Sequence, residues 1–117
     1  MFPSHQHEIG AIAFQLLASL DEYEVGMDQL VHEAWDGALY QSTTDCFDRM
    51  RNYAGAMPRL SAAWIELLIR RFELMAHLWE RMGSSERTDR FAELSPNHID
   101  AIRGLRTQVL RYLPKSS

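Results

Sequence analysis

Three groups of side chains in this sequence could do chemistry. The first is Asp28-x-x-x-His32-x-x-x-Asp36, echoed by Glu73-x-x-x-His77. A spacing of four puts such residues on one face of a helix. Two such faces turned toward each other would offer nitrogen and oxygen ligands to a zinc ion. His32, Asp36, Glu73 and His77 are therefore the candidate ligands if the chain is a metal-binding bundle or a small enzyme. The Glu-x-x-His pairs of a di-iron carboxylate bundle are missing, and helix-face charge pairing explains the same residues without a metal. Of the other histidines, His5 and His7 lie at the N-terminus, and His98 falls in the first turn of the last expected helix.

The second group is Ser42, Thr43, Thr44 and Cys46. The hydroxyls suit helix capping, and Cys46 lies between Asp45 and Asp48, without the electropositive setting that makes a thiolate. The third group is Arg103, Arg106 and Arg111 on the last expected helix, where a solvated face explains them as well as a phosphate contact does. A net charge of −4 disfavours direct nucleic-acid binding. No Gly-rich phosphate loop, nucleophile elbow or parallel-strand pattern occurs. The residues thus point to a non-catalytic protein with no metal and no cofactor.

The elements that must position these residues are helical throughout. From Ile9 to Ala34, apolar or small residues recur at alternating gaps of four and three: Ile9, Ala13, Leu16, Leu20, Tyr23, Met27, Leu30 and Ala34. This heptad seam, widened by Ile12, Leu17, Val31 and Trp35, predicts one long N-terminal helix. It starts near Ser4 or His5, keeps its phase through Gly26 and ends near Asp36-Gly37. A second helix is expected from Thr43 or Thr44 to Gly55, burying Phe47, Met50, Tyr53, Ala54 and Met57. A third runs from about Arg59 to Met82. Its apolar stripe is Ile65, Leu68, Phe72, Met75, Trp79 and Met82, broadened by Trp64, Leu67, Leu74 and Leu78 until about half the circumference is apolar and must be covered on more than one side. A short segment from Glu86 to Leu94 follows, with Phe91 and Leu94 inward. The last helix is expected to start at Ser95-Pro96 and to use Ile99, Ile102, Leu105, Val109, Leu110 and Leu113 before Pro114 ends it. The fold class is all-α: a single helical domain over 1–117, a bundle of one long helix, three further main helices and one short one.

Size and charge suggest how such a bundle would act. Residues 1–48 hold nine acids and no Lys or Arg, whereas residues 49–117 hold seven acids and all twelve basic residues. An acidic first helix lying against basic helices of the same molecule would balance the two halves, or its acidic face also meets a basic partner; if helices cross between subunits, that face would lie beside Arg59, Arg70, Arg71 or Arg81. A compact chain of this length spans roughly 35 Å, whereas a helix from His5 to Asp36 would be about 48 Å long. The overhanging seam is expected to find a second copy, which makes Leu16, Leu20, Tyr23, Met27 and Leu30 the expected dimer interface; the alternative is an elongated monomeric bundle in which the later helices cover helix one end to end. The start of the sequence lacks a cationic leader, no apolar run is long enough to span a membrane, and a lone cysteine fits a reducing cytoplasm.

What remains is recognition of another protein. Trp64, Phe72, Met75, Trp79 and Met82 supply large, adaptable apolar surface on the third helix, and Trp and Met suit interface anchoring. The acidic seam helix, Ile9-Gly10-Ala11-Ile12-Ala13-Phe14-Gln15-Leu16-Leu17-Ala18-Ser19-Leu20-Asp21-Glu22-Tyr23-Glu24, together with the Trp-rich helix from Trp64 to Trp79, resembles the small all-helical anti-activators of bacterial LuxR-type quorum-sensing regulators. The resemblance is one of architecture. It implies a dimeric, non-catalytic, cytoplasmic protein that sequesters a transcription factor, by covering either its dimer interface or its basic DNA-binding surface.

Overall fold

The structure is a computed structural model and describes residues 3–33, 36–80 and 89–113, with side chains from Glu8 onward in the first helix and from Glu93 onward in the last. The described residues form α1 (Pro3–His32), α2 (Gly37–Gly55), a 3-10 turn at Pro58–Leu60, α3 (Ser61–Glu80) and α4 (Asp89–Leu110). The fold is an all-α bundle, with no strand among the described residues.

The seam of α1 does what its spacing requires and becomes one wall of the core. Ala13, Leu16, Leu20, Tyr23, Met27 and Leu30 are all buried within the single chain. This corrects the expected role of Leu16, Leu20, Tyr23, Met27 and Leu30 as a dimer interface: α2 and α4 of the same chain already cover them. The expected overhang of α1 is absent for a geometric reason. The bundle measures 57 × 25 × 24 Å, and its radius of gyration of 15.8 Å exceeds the roughly 13 Å of a spherical chain this long. A 30-residue α1 of about 45 Å therefore lies inside the long axis and overhangs nothing.

α1 stays helical through Gly26, and the reason for glycine there is contact rather than flexibility. A β-carbon at position 26 would sit 2.8 Å from Thr43 Cγ2, so the missing side chain is what lets α2 pass close by. α2 begins earlier than its Thr43 or Thr44 caps suggest. Asp36 adopts an extended backbone, and its Oδ1 accepts from the amides of Ala38 and Leu39 at 2.9 and 3.2 Å. Asp36 is thus the N-cap of α2, and Thr43 is left to be buried mid-helix with its hydroxyl donating to the Tyr40 carbonyl.

Two further boundaries differ from expectation. Pro58 opens a 3-10 turn, so α3 proper starts at Ser61, two residues after Arg59. The expected break at Ser95-Pro96 does not occur: α4 runs from Asp89 to Leu110 with Pro96 inside. Proline removes one donor and strains the preceding turn, yet Leu94, His98 and Ile102 lie buried on both sides of it and hold the helix in one piece. The expected stop at Gly83 and the expected Glu86 start lie outside the described residues, as does the side chain of Phe91.

Part of the charge imbalance is met within the chain. Arg49 Nη2 of α2 donates to Glu22 Oε2 at 2.7 Å, and Arg106 Nη2 of α4 donates to Asp21 and Glu24, each at 2.7 Å. Within the chain, the acids of α1 that pair with arginine are thus met by Arg49 and Arg106; Arg81 lies outside the described residues.

Candidate interaction surface

α3 is apolar on two opposite sides, and only one of them is used by the bundle. At 100° per residue, Leu67, Leu74 and Leu78 share the inward arc and are buried, as is Leu60 in the turn before them. Trp64, on the α2 side of that arc, stacks on Phe47 with ring centroids 4.7 Å apart. Arg71 lies next to it. Its guanidinium sits 4.6 Å above the Phe47 ring and donates to Thr44 Oγ1 at 3.1 Å.

The other arc faces away from α1. Ile65, Leu68, Ile69, Phe72 and Trp79 are exposed along it, Phe72 by 74%, with half-buried Ala76 completing the row. From Ile65 to Trp79 the row is about 21 Å long. Trp79 is steadied by an edge-to-face contact with Tyr40 of α2 at 5.5 Å. Along the side nearer α4, Arg70 Nε donates to Glu66 at 2.7 Å and Nη1 to Glu73 at 3.3 Å. A polar edge thus borders an apolar centre, the usual layout of a recognition surface.

The expected partner-binding residues divide between these two sides. Phe72 and Trp79 lie on the outer row. Trp64 is half-buried against Phe47, and Met75 is buried, which corrects its assignment to a partner-facing surface. Met82 lies outside the described residues. Ile65 and Leu68, members of the expected apolar stripe, are outward, as is Ile69, which that stripe did not include. The sequence signal for this was the set 65, 68, 69, 72 and 76, which follows the i, i+3, i+4, i+7 rule of a helix face on its own.

The candidate ligands do not converge. His32 Nδ1 lies 3.1 Å from Asp28 Oδ1 at the end of α1, Asp36 caps α2, Glu73 pairs with Arg70, and His77 is buried in α3. This corrects the ligand set His32, Asp36, Glu73, His77. No group of three or more His, Cys, Asp and Glu is placed to hold a metal ion among the described residues. Cys46 is buried, and its Sγ donates to the Ser19 carbonyl at 3.1 Å. Burial and the Glu22 carboxylate push its thiol up to about 11, which makes a poor nucleophile. The buried Tyr23 hydroxyl and His98 Nε2 hydrogen-bond at 2.8 Å across the core. Burial, helped by Arg71, lowers His98 to about 4 and holds it neutral.

A cleft of about 340 Å³ between α1 and α4 is lined by Val25, Met27, Val31, Ile99 and Ile102, with Asp28 and His32 among its polar residues. No described helix is long and apolar enough to cross a membrane. Compared with protein-family models, curated proteins and solved structures, the chain matches none.

Proposed function

We propose that this chain is a non-catalytic protein-binding module whose working surface is the outer face of α3. The observation that carries the reading is the row Ile65, Leu68, Ile69, Phe72 and Trp79, apolar, contiguous and exposed on a helix whose other side already supplies the core. Large apolar groups in such a row gain little by facing water, and their burial is the main favourable term in association. Phe72 and Trp79 are the natural anchors, rigid aromatics of the kind that dominate interface energetics.

The narrower reading is sequestration of a bacterial transcription factor, in the manner of the anti-activators that the chain resembles. Of the two routes open to such a protein, covering an apolar dimer interface suits this surface better than mimicking a DNA phosphate run. Asp21, Glu22 and Glu24 are already engaged by Arg106 and Arg49 of the same chain, which leaves less acidic field for a basic partner.

The test is capture with paired baits, wild type and Phe72→Asp, from a lysate of the native organism. A charge at so exposed a position leaves the fold intact, so circular dichroism should not change. A partner held by wild type should be retained roughly tenfold less or worse by the variant. Equal retention by both baits removes the α3 face from the function. Where the retained protein is a DNA-binding regulator, adding wild type should release it from its DNA; no release rejects the sequestration reading.

A further inference from the structure

α3 carries a second heptad seam on the side away from the core. With the repeat lettered a to g from Ala62, position a holds Ala62, Ile69 and Ala76, position d holds Ile65, Phe72 and Trp79, and position e holds Glu66, Glu73 and Glu80. Apart from half-buried Ala76, the a and d residues are exposed, while Leu67, Leu74 and Leu78 on the opposite side of the same repeat fill the core. The two edges of this seam differ. The g edge is Ser61, Leu68 and Met75, uncharged and turned toward α2, whose Tyr40 meets Trp79. The e edge is a column of three carboxylates. Arg70 meets Glu66 and Glu73 at 2.7 and 3.3 Å, and among the described residues no other Lys or Arg pairs with the column, which therefore keeps a charge of about −2.

We propose that the occupant of this seam is one amphipathic helix of a different protein, about five turns long, with Lys or Arg along the edge that meets Glu66, Glu73 and Glu80. The inference rests on the reading of the outer α3 face as the working surface and adds the kind of partner that fits it. The length follows from the seam, since Ala62 to Trp79 spans about 26 Å. Ala62 and Ala76 leave room for large apolar side chains of the incoming helix, while Phe72 and Trp79 enter the holes between its turns. Charge decides the rest. A second copy of α3 fits poorly: antiparallel pairing sets its e edge against an identical e edge, Glu against Glu, and parallel pairing sets it against Ser61, Leu68 and Met75, which bring no cation. A basic flank gains on this edge what a second copy loses.

The probe is a fluorescein-labelled helical peptide of about 18 residues, with Leu at a and d and Arg at both e and g, so that either orientation presents cations; its twin carries Glu in place of Arg. Fluorescence anisotropy at about 0.15 M salt should show wild type binding the Arg peptide at micromolar concentrations and roughly tenfold more tightly than the Glu peptide. Glu66→Lys/Glu80→Lys reverses two exposed charges, leaves Glu73 on Arg70, and should invert that preference. Phe72→Asp should weaken the Arg peptide roughly tenfold, whereas attraction by charge alone would strengthen it. Wild type that binds neither peptide or both equally, a double variant that keeps the wild-type preference, or Arg-peptide binding that survives Phe72→Asp overturns the proposal. So does a wild-type particle of twice 13.6 kDa that Phe72→Asp returns to monomer, since a second copy then covers the seam. Should the peptides fail while capture from the lysate still depends on Phe72, only the basic helix is overturned. Should capture be independent of Phe72 as well, the docking reading falls with it.

Discussion

Tyr23 and His98, 75 positions apart in the chain, share a hydrogen bond inside the core, and that bond makes the fold sensitive to acid. His98 stays neutral when folded, with its titration lowered to about 4, whereas the unfolded chain takes up the proton near 6.5. Between those two values the unfolded state binds more protons, so stability rises with pH and falls as pH drops from 6.5 toward 4. The full effect is at most about 3 kcal/mol. Thermal melts from pH 7 to pH 4.5 should show this slope, and His98→Gln, which cannot titrate, should flatten it. A wild-type melting temperature independent of pH in that window would contradict the buried neutral imidazole. Neither member of this pair was readable as such. Tyr23 showed itself as a seam residue, but His98 looked like a first-turn residue because Ser95-Pro96 resembles a helix start.

At the scale of elements, α1 and α2 are fitted to each other at one point and capped at another. Gly→Ala inside a helix ordinarily stabilises by about 1 kcal/mol. Gly26→Ala should do the opposite and destabilise by about 1–3 kcal/mol, because the new methyl meets Thr43 Cγ2 and the helices must separate. Asp36→Ala should cost about 1 kcal/mol by removing the cap of α2. Urea denaturation measures both, and a stabilised Gly26→Ala would mean that the two helices do not approach as described. The three-and-four spacing made the existence of all four helices legible, since it fixes which residues share a face. The ends were less so. Asp36-Gly37 reads equally well as the end of one helix or the cap of the next, and Pro96 reads as a start unless the burial of Leu94 and His98 on both sides is known.

At the scale of the molecule, two apolar stripes invited the same argument, and only one deserved it. Periodicity shows that a face is apolar but not what covers it. The seam of α1 is covered from within, because an elongated bundle lets α2 and α4 run alongside it. α3 carries two faces, and its heptad could be phased on either. The spacing put Ile65, Leu68 and Phe72 along the centre of one broad stripe and Leu67, Leu74 and Leu78 at its margin, whereas the core is built from Leu67, Leu74 and Leu78 and the other three are exposed. The prominence of Phe72 and Trp79 was visible in residue type alone; the exposure that makes them useful required the packing. The measurement that tests this assignment most directly pairs stability with capture for Phe72→Ala and Leu20→Ala, each denatured in dilute solution. Phe72→Ala should leave the unfolding free energy within about 0.5 kcal/mol of wild type and clearly weaken partner retention, whereas Leu20→Ala should cost about 2–5 kcal/mol. A Phe72→Ala protein that loses stability like Leu20→Ala, or that keeps its partner, would contradict the account.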